Sequence, residues 1–92
     1  MSISIEVFRR KIVAGKYELT QHAKDEAADD ELDTEDIENV VLFGKIARIL
    51  TQDPRGKRYV IKGMSVQKRE TEIVCRILPS GKMRIITVYL KR

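Results

Sequence analysis

The sequence predicts an α+β fold, with three N-terminal helices packed on a four-stranded, mainly antiparallel C-terminal sheet in a single domain over residues 1–92. Three observations predict it. Apolar residues recur at helical spacing before Gly44 and at a spacing of two after it. Gly15 and Gly44 stand where helices stop. The stretch from Thr71 to Leu90 holds two runs dense in β-branched and aromatic residues around Pro79-Ser80-Gly81, which reads as a hairpin.

Taken in order, Ser2 or Ser4 caps a first helix from Ile5 to Ala14, with Ile5, Phe8 and Ile12 as its buried stripe and Val13 widening it. Arg9, Arg10 and Lys11 suit the negative end of its dipole. Tyr17 and Leu19 form a short extended link. Thr20 caps a second helix, Gln21 to Asp30, and Asp33 or Thr34 starts a third. Asp36 lies three residues after Asp33, and Ile37, Val40 and Val41 give the third helix its apolar face. From Lys45 the period switches to two: Ile46 to Gln52 reads as a first strand, Asp53-Pro54-Arg55-Gly56 as a type I turn, and Arg58 to Val66 as a second strand. Gly63 inside that strand marks a bulge or a close approach.

The hairpin closes the chain. A two-residue turn at Ser80-Gly81 sets Leu78 opposite Met83, Cys75 opposite Ile86 and Ile73 opposite Val88. One face then carries Ile73, Cys75, Ile77, Ile86, Val88 and Leu90, and faces the helices. The other carries Glu72, Val74, Arg76, Met83, Ile85, Thr87 and Tyr89, and is half polar.

Composition narrows the class. At 92 residues, with 42% hydrophobic and 35% charged residues, the chain suits a small soluble globular protein. No apolar run reaches the roughly 20 residues of a membrane span, and the N-terminus lacks a signal-peptide pattern, so a cytoplasmic protein is expected. The lone Cys75 reads as a small buried hydrophobe in a reducing compartment. One Cys and one His are too few for a structural zinc site, and there is no Gly-rich phosphate loop, so neither metal nor cofactor is expected.

Charge is divided unevenly. Residues 1–44 hold five Lys/Arg and eleven Asp/Glu, whereas residues 45–92 hold thirteen and three. A solvated surface with salt bridges between layers would account for this. So would a basic sheet face that binds nucleic acid. Arg58, Arg76 and Arg84, with Lys57 and Lys62 on adjacent strands, would make a phosphate-binding patch. His22, the only histidine, is either a packing or capping residue or a proton-transfer group leaning over the sheet. Tyr59 and Tyr89 are strand residues that serve either the core or a site.

Several strings carry a resemblance: K-Y-E-L-T-Q-H-A at 16–23, L-D-T-E-D-I-E-N-V-V at 32–41 followed by F-G-K-I, G-K-R-Y-V-I-K-G at 56–63, and I-I-T-V-Y at 85–89. In this order they resemble the domain-of-unknown-function family 4258, itself similar to the RelE/ParE-like toxin superfamily. The resemblance implies a metal-independent ribonuclease scaffold, held by a small zinc-finger antitoxin from a neighbouring gene. By position its motifs fall on His22, on Arg58 and Tyr59, and on Thr87 and Tyr89; joined to the basic patch, this makes His22, Arg76 and Tyr89 the expected catalytic residues and Arg58, Tyr59, Lys62, Arg84 and Thr87 the expected RNA contacts. The 2′-hydroxyl of RNA would attack the adjacent phosphate, with cations neutralising the phosphorane. Many members carry an Arg four residues after the His, where this chain has Glu26. A non-catalytic RNA- or protein-binding module on the same fold, as a monomer or small homo-oligomer, is the alternative expectation, and a structural subunit whose basic sheet meets an acidic partner is a third.

Overall fold

A computed structural model describes residues 3–91. In chain order these form α1 (Ile5–Val13), β1 (Tyr17–Leu19), α2 (Gln21–Asp29), α3 (Thr34–Phe43), β2 (Lys45–Leu50), β3 (Arg58–Met64), β4 (Glu70–Ile77) and β5 (Met83–Leu90). The helices agree with the sequence expectation to within a residue at each end. The Ser2 alternative for the first cap lies outside the described residues. Ser4 is the N-cap of α1, but its side chain makes no capping bond. Thr20 caps α2 by accepting the Ala23 N–H, and Asp33 and Asp36 form a reciprocal capping box on α3.

The sheet has five strands, not four. Their order is β1-β5-β4-β3-β2, antiparallel throughout except for β1, which runs parallel to β5. The segment read as an extended link is this extra edge strand, with Tyr17 beside Met83 and Leu19 beside Ile85. Three residues carry too little periodicity to be seen as a strand, and only the position of β5 gives them a partner. Phe8, Ile12, Ala23, Ala27, Leu32, Ile37, Val40 and Val41 from the helices form one core with Tyr59, Ile61, Ile73, Cys75, Met83, Ile85 and Val88 from the sheet. All three helices therefore lie against one sheet face. The opposite face stays open.

The closing hairpin corrects the expected register. Leu78 pairs with Lys82, not Met83, because Pro79-Ser80-Gly81 makes a three-residue loop with Gly81 at φ 90°. Ile77 then pairs with Met83 and Cys75 with Ile85. A bulge between Val74 and Cys75 restores the expected pairing of Ile73 with Val88. Ile86 is the extra residue. It turns to the open face and is half-buried, while Met83 and Ile85 are fully buried in the core. Truncation separates the two isoleucines. Ile85→Ala should cost about 2–5 kcal/mol and Ile86→Ala about 1 kcal/mol, read by urea unfolding. Equal losses would contradict the bulge.

Helix α2 completes the sheet edge. Beyond Leu19 no strand among the described residues flanks this outer edge of β5, yet the Val88 and Leu90 N–H groups are not left open. The Glu26 carboxylate accepts from Val88 N at 3.0 Å, and Asp30 accepts from Leu90 N at 3.3 Å. Thr20 donates to the Ile86 carbonyl at 3.1 Å. Two carboxylates one helical turn apart thus stand in for a neighbouring strand and block edge-to-edge pairing. At the other end of the helical layer, Arg9 reaches from α1 to the Val41 and Gly44 carbonyls at 3.3 and 2.9 Å, closing the C-terminus of α3.

Candidate nucleic-acid interface

The open face is built from a strand register. Arg84 of β5 pairs with Arg76 of β4, and Tyr59 of β3 pairs with Cys75, which places Arg58 across from Arg76. Three arginines therefore occupy one row across three adjacent strands, roughly 5 Å apart from strand to strand. Glu18 of β1 extends the row at one end. The loop between β2 and β3 folds over the other. Its turn closes with a Gly56 N–H to Asp53 carbonyl bond at 3.0 Å, as the Asp-Pro-Arg-Gly sequence implies.

Asp53 organises the arginines. Its carboxylate lies 2.8 Å from Arg76 Nη2, 3.4 Å from Arg58 Nε and 3.3 Å from Arg55 Nε. The Arg55 backbone N–H, followed by the Arg76 guanidinium, holds this carboxyl well below the usual range, so it stays charged in ordinary buffers. Arg76 is itself buried and has its guanidinium directed at Asp53, whereas Arg58 and Arg84 keep partly exposed side chains. Arg84 is paired with Glu18 at 3.0 Å, and Lys82 lies 3.7 Å from the same carboxylate. Between them is a cleft of about 300 Å³ lined by Thr20, Arg55, Arg58, Arg76, Ile77, Leu78, Pro79, Arg84 and Ile86. Five cations around it share two carboxylates. The site therefore keeps an excess of positive charge.

The rest of the face is more nearly neutral. Glu72 is buried on it and receives the Tyr89 hydroxyl, Lys91 at 3.2 Å and Arg48 at 3.5 Å. The Tyr89 hydrogen bond, ahead of the opposing effect of burial, keeps Glu72 below its usual range, and the same bond raises Tyr89. Tyr89 thus lies on the expected face, but its hydroxyl is already engaged. Lys62 pairs with Glu70 at 3.0 Å, and Thr87 is half-buried opposite Val74. Tyr59 points the other way: it is a core residue whose ring meets Phe8 at 5.2 Å between centroids. Burial pushes the Cys75 thiol up to about 12, in keeping with a core role.

His22 is not brought to the arginine cleft. It sits exposed on α2, 3.2 Å from Glu26, and is absent from the cleft's lining. Glu26 in turn holds the Val88 N–H, which an Arg at that position could not accept. The structure thus joins Arg58, Arg76 and Arg84, leaves Lys62, Thr87 and Tyr89 further along the same face, and separates Tyr59 and His22 from it. The sequence reading missed Asp53, Arg55, Glu18 and Thr20. One signal for Asp53 was available, since it is one of only three acidic residues in the basic half of the chain.

The class this defines is an α+β domain with three helices on one face of a five-stranded sheet and an arginine-lined cleft on the other. The chain belongs to the family described as a domain of unknown function, DUF4258, whose pattern matches residues 19–90. Neither a curated protein nor a solved structure matches it. Among the described residues no helix is long and apolar enough to cross a membrane, and no cluster of metal-ligating side chains is present.

Proposed function

We propose that this chain binds RNA by gripping backbone phosphates with the arginine row of its open sheet face. One observation carries the reading: Arg58, Arg76 and Arg84 stand side by side on three strands, with Arg55 from the loop, around a single cleft whose cations outnumber its carboxylates. Guanidinium forks match phosphate oxygens two at a time, which lysines cannot do. The resemblance of the sequence strings to RelE/ParE-type toxins would make RNA the anion of choice, and half-buried Ile86 and Leu78 offer apolar surface for a base beside the arginines.

A ribonuclease toxin is the second reading. Three guanidiniums on one position are what a phosphorane requires for charge. Proton transfer is less well served, because His22 lies elsewhere and Tyr89 donates to Glu72. Binding without cleavage therefore fits the geometry better. A small antitoxin-like partner in the cytoplasm would cover the same basic cleft.

The test is a salt titration with labelled single-stranded RNA, followed in parallel on a gel for cleavage. Affinity should fall with a log–log slope of about −2 to −3 if three or four phosphates are held. Arg58→Gln with Arg84→Gln should reduce that slope by about 1.4 and weaken binding by roughly tenfold or more. A flat salt response removes the nucleic-acid reading. Cleaved RNA that requires His22 restores the toxin mechanism.

A further inference from the structure

A second group of cations lies at the C-terminal end of α1, which the closing hairpin connects to the strand bearing Arg84. Arg10, Lys11 and Lys16, with Val7 and Ala14, line a separate cleft of about 230 Å³. This end of α1 is tied to the closing hairpin. Lys11 Nζ donates to the Gly81 carbonyl, the Lys16 N–H donates to Lys11 O at 2.8 Å, and the Met83 N–H donates to Lys16 O at 3.0 Å. Lys82 and Arg84 follow directly on β5. Cations therefore recur along the chain contacts from Arg10 and Lys16, through Lys82, to Arg84, Arg76 and Arg58, with the Glu18 carboxylate set beside Lys82 and Arg84.

We propose that the RNA strand held by the arginine row continues past β1 into this second cleft, where Arg10 and Lys16 take its next phosphates. The inference rests on the RNA-binding reading and extends its footprint. Two features single out these residues. A helix C-terminus attracts cations through partial charges of about half an electron, far less than three full positive charges require. Arg10 and Lys16 also form no ion pair or side-chain hydrogen bond among the described residues, whereas Lys82, Arg84, Arg76 and Arg58 all have carboxylates. An unpaired cation can neutralise a phosphate, and so release a counterion from the nucleic acid, with no internal ion pair to break first. Lys11 serves differently, since its ammonium is used to join α1 to the hairpin.

Length dependence tests the proposal. Fluorescence anisotropy would compare labelled oligouridylates of about 4 and about 12 nucleotides, a span typical of single-strand sites. The wild-type chain should hold the longer strand at least about tenfold more tightly, with a steeper salt slope. Arg10→Gln with Lys16→Gln should remove most of that advantage, lower the slope for the longer strand by about 1.4, and leave the shorter strand unaffected. Both side chains are exposed, so an unchanged thermal midpoint is the control for folding. Full wild-type affinity of this variant for the longer strand overturns the proposal while leaving the arginine row intact. Equal loss on both lengths also overturns it, as does retention by anionic phospholipid vesicles but not by RNA. If the wild-type chain binds neither strand, the RNA reading itself fails, and the two failures are told apart.

Discussion

Gly44→Ala should unfold the protein more effectively than most single methyl additions. Gly44 ends α3, and its φ of −93° is open to any residue, so backbone freedom is not the reason for glycine here. Space is the reason. A Cβ at this position would fall inside contact distance of two backbone carbonyls, Val40 O from α3 and Lys62 O from β3. Neither can move alone, since one belongs to a helix and the other to a central strand. Gly63 meets the same carbonyl from the sheet side, where an added Cβ would lie 2.6 Å from Val40 O. The two glycines therefore let α3 sit directly on β3, which resolves Gly63 as a close approach and not a bulge. Overpacking of this kind costs about 3 kcal/mol or more when backbone has to shift. For a domain of this size that lowers the thermal midpoint by roughly 12–24 °C. A variant that melts within a few degrees of wild type would show that helix and strand separate easily.

The second large effect is acid sensitivity. Asp36, Asp53 and Glu72 all have carboxyls held below their ordinary values. At Asp36 burial alone would raise the value, but the N–H groups of Asp33 and Val66 outweigh it. A depressed folded value means that the unfolded chain takes up protons first as pH falls. These groups therefore contribute stability above about pH 4 and lose it progressively as pH drops through their folded values. The urea midpoint should be flat near neutrality and fall steeply between about pH 5 and pH 3. Glu72→Gln identifies one contributor. It removes the negative charge and one of the two acceptor oxygens that Tyr89, Lys91 and Arg48 share, and should cost about 2 kcal/mol at neutral pH. The same variant should match wild type at low pH, where Glu72 is protonated. A constant difference at every pH would place the stabilisation in packing and not in charge.

Much of this molecule is legible in its sequence. The three helices and their caps follow from local rules: Thr20 and the Asp33–Asp36 pair satisfy nearby N–H groups within a few residues of chain, so no tertiary knowledge is required. The strands β2 to β5 announce themselves by β-branched density and turn residues. The uneven charge also shows that most cations belong to the sheet half of the chain. What sequence could not supply was everything that depends on a partner distant in the chain. β1 is a strand only because β5 lies beside it. The bulge at Ile86 exists because a three-residue loop shifts the register at one end of the hairpin while the core holds Ile73 against Val88 at the other. Glu26 reads as an acidic surface residue until Val88 is brought to it across 62 positions of chain.

The candidate site divides the same way. Arginines on strands can be listed from sequence, but the pairing register alone sets Arg58, Arg76 and Arg84 in one row and turns Tyr59 into the core. Asp53 reads as a turn residue and becomes the counterion of three guanidiniums, because the β2–β3 loop folds back over the sheet. Local propensity and patterning act over a few residues and are written in the sequence itself. Register, loop placement and charge pairing are decided by contacts that exist only after the chain has closed on itself.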